Sequence, residues 1–119
     1  MSQLKMQQTV QLFDDDGANV SRVQGTATVD GNGFLITEYE VTAMAASAAV
    51  SLGALAAVRA LVVEAEADLI LEIGAGPEEI MIEAGVPYSV TFGIGGETDL
   101  AFSSSHATDT PVKLWMIGV

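Results

Sequence analysis

From Leu61 to Ile73 the chain alternates: Leu61, Val63, Ala65, Ala67, Leu69, Leu71 and Ile73 fall in one phase, and Glu64, Glu66, Asp68 and Glu72 fall in the other. A period of two puts successive side chains on opposite faces of an extended strand, and it conflicts with the 3.6-residue period of a helix. Thirteen residues are long against an ordinary strand of roughly five or six. The run is therefore expected to turn over near "EAEAD" and go on as a second strand, the two pairing with each other.

The segment just upstream tests this reading, because Val41 to Val58 contains eighteen residues without a charge, close to the roughly 20 that span a hydrocarbon core. Its apolarity is carried largely by alanine, which contributes little transfer energy. Glu38, Glu40, Arg59, Glu64 and Glu66 flank it, with no basic cluster and no aromatic belt to orient it across a bilayer. No membrane span is expected. The segment reads instead as an extended or short helical connector at 43–49, followed by a strand in "VSLGAL", where Val50, Leu52 and Ala54 alternate with Ser51, Gly53 and Leu55.

Strand and turn signals continue along the rest of the chain. Residues 8–13 read as a first strand, broken by "DDDGAN". Val20–Val29 and Phe34–Thr42 flank "DGNG", whose Asp-Gly and Asn-Gly pairs suit a tight hairpin, so these two are expected to pair, with Gly25 as a candidate bulge. Strands are also expected at "EIMIEAG", "YSVTFGI" (Tyr88, Val90, Phe92 and Ile94 on one face), "DLAFSSS" and "PVKLWMIGV". Eight or nine short strands at regular spacing, with turn chemistry between them, imply an all-β fold: an antiparallel β-sandwich or jelly roll. The 119 residues form one domain (1–119), with the polar residues 1–7 as an N-terminal arm.

Charge narrows the classes of partner. Four Lys and Arg against sixteen Asp and Glu give a net charge of −12, which repels phosphate backbones and anionic lipid, so neither nucleic acid nor membrane is an expected partner. The absence of cysteine removes disulfides, thiolate metal sites and cysteine nucleophiles. A hydrophobic content of 50% is high for a chain with so few charged positions, and a buried multi-strand core or a large subunit interface would take up the excess.

Candidate chemistry is sparse. His106 is the only histidine and lies in the polar loop "SSSHATDT" beside Ser103, Ser104, Ser105 and Asp109, without a Gly-x-Ser-x-Gly elbow. Asp14, Asp15, Asp16, Gly17 and Asn19, and also Asp30 with Asn32, are rich in oxygen. Counted from Asp14, however, Asn19 and Gly25 occupy the places where a calcium loop has its glycine and glutamate. Both segments read as turns. "EIGAGPEE" and "GIGGET" lack the spacing of nucleotide-binding loops. The same-face pairs Glu38 with Glu40 and Glu64 with Glu66 arise from strand alternation alone. No catalytic residue, metal ligand or cofactor site is assigned, and an enzyme is not expected. Trp115 and Tyr39 are the plausible exposed aromatics for stacking on a sugar. Trp115 and Ile117 lie opposite Val112, Leu114 and Met116, so that face of the last strand either meets another subunit or is buried within the chain.

From Ala49 onward, "AVSLGALAAVRALVVEAEADLILEIG", "EEIMIEAGVPYSVTFG" and "TDLAFSSSHATDTPVKLWMIG" resemble small virion proteins of tailed bacteriophages: a strand, a turn and a second strand ending in glycine, a strand closed by "EAGVPYSV", and a last hydrophobic strand. The resemblance covers about 70 residues of strand and turn pattern, without a catalytic motif. It implies a β-sandwich in the virion that decorates or cements a capsid, often as a homotrimer, against the major capsid protein or other virion proteins. A tail, baseplate or fibre accessory protein, or a carbohydrate-binding module, is the alternative.

Overall fold

A computed structural model describes residues 2–13, 15, 17, 19–76 and 78–119, with the backbone alone described for 8–13 and 19–27. Its strands are β1 (Ser2–Phe13), β2 (Asn19–Gly31), β3 (Gly33–Val41), β4 (Ala48–Ala49), β5 (Val58–Ala65), β6 (Leu69–Ile73), β7 (Glu78–Ile82), β8 (Tyr88–Thr91), β9 (Leu100–Ser103) and β10 (Thr110–Gly118). Two four-stranded antiparallel sheets, ordered β3-β10-β5-β8 and β4-β9-β6-β7, make the sandwich, and β1 with β2 makes a separate two-stranded ribbon. The expected all-β antiparallel sandwich is the fold.

The core follows from the alternation. Val112, Leu114 and Met116 of β10 stand in register with Ala65, Val63 and Leu61 of β5, and all six are buried. Leu69 and Leu71 of β6, Ile82 of β7, and Leu100 and Phe102 of β9 come from the other sheet and join them in one buried cluster. One face of each sheet is thus apolar and meets the other, as aligned sheet packing requires. Each fully buried Leu, Ile or Phe contributes about 1.5–3 kcal/mol by removal from water.

The turnover near "EAEAD" falls where expected, between Ala65 and Leu69, but the two strands do not pair. β5 belongs to one sheet and β6 to the other, so residues 66–68 form an arch between layers that keeps Leu61–Ala65 and Leu69–Leu71 facing one core. Arches at 42–47 and 104–109 cross between the layers in the same way. They are tied together by Met44 N–H donating to His106 O (3.0 Å), Ser104 N–H to Ala45 O (2.9 Å), and Ala43 N–H to Asp109 Oδ1 (2.8 Å).

Three expectations on the N-terminal side are corrected. Val20–Val29 does not pair with Phe34–Thr42: β2 pairs with β1 from Ser2↔Gly31 outward, while β3 runs the full length of β10, Gly33↔Gly118 to Val41↔Thr110. "DGNG" is therefore a crossing from ribbon to sheet. A Cβ at Gly31 would stand 2.5 Å from Gly118 O and 2.8 Å from Ile117 Cγ1, so only glycine permits this approach, and Asn32 N–H donates to Gly118 O (2.8 Å). Gly25 is in register with Gln8, and the irregularity falls at Leu12/Phe13 instead.

The third correction concerns "VSLGAL", which is not a strand. Pairing stops at Ala49, and Gly53 turns the chain at φ +58° against the Leu35 side chain. Two more left-handed residues, Met44 (φ 56°) and Ser47 (φ 78°), occupy the connector at 43–49, which is neither helix nor strand before Ala48. No helix long and apolar enough to cross a membrane occurs among the described residues.

The last residues seal the end of the sandwich opposite the arches. Ala56 and Ala57 N–H groups donate to Val119 O, and Val119 N–H donates to Ala57 O. A Cβ at Gly118 would collide with the Ala57 carbonyl. Gly118→Ala is expected to lower the thermal midpoint in a calorimetric scan by as much as Phe102→Ala, a core truncation costing about 3–5 kcal/mol. An unchanged midpoint for Gly118→Ala would mean that this contact is not made.

Candidate functional site

The outer face of the β3-β10-β5-β8 sheet collects the polar and apolar groups that the core leaves over. Alternation carries Glu38 and Glu40 from β3, Lys113 and Pro111 from β10, and Glu64 from β5 to this face, with Lys113 in register with both Glu38 and Glu64. With Glu66 from the adjoining arch they line an open groove of about 880 Å³. The two carboxylate pairs noticed in the sequence therefore share one groove, around one cation. Lys113 Nζ lies 3.5 Å from Glu38 Oε1 and 4.9 Å from the Trp115 ring centroid. Both partners of the ion pair are exposed, so it contributes at most about 1 kcal/mol, and its main effect is to hold the ammonium over the indole.

Beyond Trp115 the same face turns apolar. Trp115 is in register with Ile36 and Val62, and Ile117 with Phe34 and Ala60. Phe34 and Ile36 are 66% and 56% exposed, whereas Ile117 and Ala60 are 2% and 0% exposed. The difference lies in the ribbon: its base at Gly31 packs against Ile117, and Arg59 Nη1 reaches Asp30 O (2.5 Å). The ribbon base thus covers one end of an apolar strip and leaves Phe34 and Ile36 exposed beside half-buried Val62 and Trp115. Of the two readings open for Trp115 and Ile117, burial within the chain holds for Ile117 and partial exposure for Trp115. The contribution of Phe34 and Ile36 was not legible beforehand, because it appears only once β3 is placed beside β10.

Tyr39 is not a surface aromatic. It shares the inward phase of Leu35 and Val41 and packs against the core. Its hydroxyl is buried and, among the described residues, has no hydrogen-bond partner. Burial disfavours the phenolate and pushes its pKa from 10.0 up to about 12. A sugar platform of Trp115 with Tyr39 is therefore not present on this face.

His106 lies in the loop expected for it, with Nε2 2.6 Å from Asp68 O and its backbone N–H donating to Ser104 Oγ (3.2 Å). Ser103 Oγ donates instead to Glu72, tying β9 to β6, and Asp109 accepts from Ala43 N–H, tying two arches, so these neighbours form no nucleophile–base pair. Among the described residues no three His, Asp or Glu side chains come together as a cation site. Asp14 and Asp16 of the acidic turn lie outside the described residues.

The buried phenol gives a pH signature. Because the folded state holds the Tyr39 proton more tightly than the unfolded chain, its contribution to stability is fully present below pH 10 and is lost as pH rises from 10 towards about 12. Tyr39→Phe removes a buried hydroxyl without a partner, so it is expected to be neutral or stabilising at pH 7 and to flatten the alkaline decline measured by urea unfolding. A Phe variant with the same alkaline decline would assign that decline to other groups.

Comparison with protein-family models, with curated proteins and with solved structures gave no match.

Proposed function

We propose that this chain is a virion structural protein of a tailed phage: a capsid decoration or cement protein that stabilises the shell by bridging subunits, acting as a homo-oligomer, a trimer in the form the resemblance implies, against the major capsid protein or other virion proteins. The observation that carries this reading is the apolar strip of exposed Phe34 and Ile36 with half-buried Val62 and Trp115, beside a separate two-stranded ribbon. Large exposed apolar residues gathered on one flat face point to protein contact. The radius of gyration of 15.7 Å exceeds the roughly 13–14 Å of a compact chain of this length. A small protein that offers contact surface from two directions suits bridging.

The strand and turn pattern shared with phage virion proteins supports the same role. Shells are exposed to wide changes of medium, and a cysteine-free sandwich with a net charge of −12 keeps its integrity without a redox requirement and resists nonspecific aggregation. A carbohydrate-binding role loses support with Tyr39 turned inward and Lys113 seated over Trp115.

The test uses shells lacking the protein. Purified chain is expected to bind them to saturation and raise the temperature or chaotrope concentration at which they break. Binding to tails and not to shells would move the role to a tail, baseplate or fibre accessory. Failure to bind either would overturn the proposal.

A further inference from the structure

We propose that the apolar strip of Phe34, Ile36, Val62 and Trp115 receives the β1–β2 ribbon of a second copy of this chain, so that self-association proceeds through ribbon on sheet.

The chain itself supplies the precedent. At Gly31 the ribbon base lies on Ile117 of the same outer face, and the strip runs on from there, Ile117 beside Phe34 and Trp115 beside Ile36 and Val62. A two-stranded ribbon therefore fits this surface at one end, and the remainder has the same flat, apolar character. The ribbon carries a matching face. Leu4, Met6 and Val29 are half-buried and alternate with exposed Gln3, Lys5, Gln7, Thr28 and Asp30, and the register sets Leu4 opposite Val29 and Met6 opposite Ala27. Gly31, which faces Ile117, belongs to the phase of Val29.

Charge selects the ribbon over another sandwich as the occupant. From Asn32 onward two cations stand against twelve acids, a net of −10, whereas residues 1–31 hold Lys5 and Arg22 against Asp14, Asp15, Asp16 and Asp30, a net of −2. Two sandwich faces brought together would set Glu38, Glu40 and Glu64 against their own copies, and like charges across an interface oppose docking. The ribbon is the part of the molecule that approaches this acidic surface with the least repulsion. The inference goes beyond a role in the virion and is tested on isolated protein, so loss of shell binding would leave it standing, and its own failure would leave shell binding open.

The full chain contains no cysteine, so single cysteines report contacts cleanly. Met6→Cys protein mixed with Ile36→Cys protein under mild oxidation is expected to give the mixed disulfide dimer as the major product, and Ile36→Asp is expected to lose association in analytical ultracentrifugation while keeping the circular dichroism spectrum and cooperative melt of the parent. A chain that sediments as a monomer at submillimolar concentration overturns the proposal. So does a predominance of Ile36→Cys homodimers, which would mean that the strip meets another strip.

Discussion

The structure depends on the burial of β10. It is flanked by β3 on one edge and β5 on the other, and its inward residues Val112, Leu114 and Met116 form the middle row of the core. Its end organises the opposite side of the molecule as well: Gly118 admits the ribbon crossing, and Val119 bonds the segment leading into β5. Register along β10 therefore sets what lies on the outer face, since a slip of one residue would exchange the core row with Lys113, Trp115 and Ile117. Both the acidic groove and the apolar strip follow from that single pairing.

Division of the outer face into groove and strip is the main electrostatic fact about the protein. Glu38, Glu40 and Glu64 gather at the arch end of the sheet around Lys113, while Phe34 and Ile36 lie at the ribbon end. The carboxylates are solvated, so their mutual repulsion is screened over about 8–10 Å at ordinary ionic strength. The strip adjoins them along the same strands, with Ile36, Val62 and Trp115 two residues from Glu38, Glu64 and Lys113, and it is the part of the face where desolvation is favourable.

Much of the sandwich was legible in the sequence because each strand had to place one phase in a core. Leu61–Ala65, Leu69–Ile73 and Val112–Met116 carried that signal plainly, and the turnover between Ala65 and Leu69 followed from length. Pairing was less legible, because alternation states which face a residue occupies and not which neighbour it has. "DGNG" has the chemistry of a hairpin, yet the close approach of Gly31 to Gly118 uses the same glycine for a crossing, a contact between residues far apart in sequence. "VSLGAL" alternates over too few residues to hold a strand against the turn at Gly53. Tyr39 suits a sugar platform by residue type alone, whereas its phase follows Leu35 and Val41 into the core. The surface strip was hidden for a similar reason: Phe34 and Ile36 look like core residues until β10 and β5 are set beside them.

The position of β10 in the chain has a consequence for how the protein comes to exist. It is the last of the strands to be synthesised, yet it is the one that joins β3 to β5. While β3 to β9 emerge, the row that Leu61, Val63 and Ala65 must meet has no partner, and the edges of β3 and β5 stand open. Pairing between strands so distant in sequence carries a large loop-closure entropy and is slow. Unpaired edges and an open apolar layer are the features by which chaperones hold a chain that is still folding. The dense acidity of residues 64–83 lies in the strands that wait for this partner, and like charge there opposes contact between neighbouring chains.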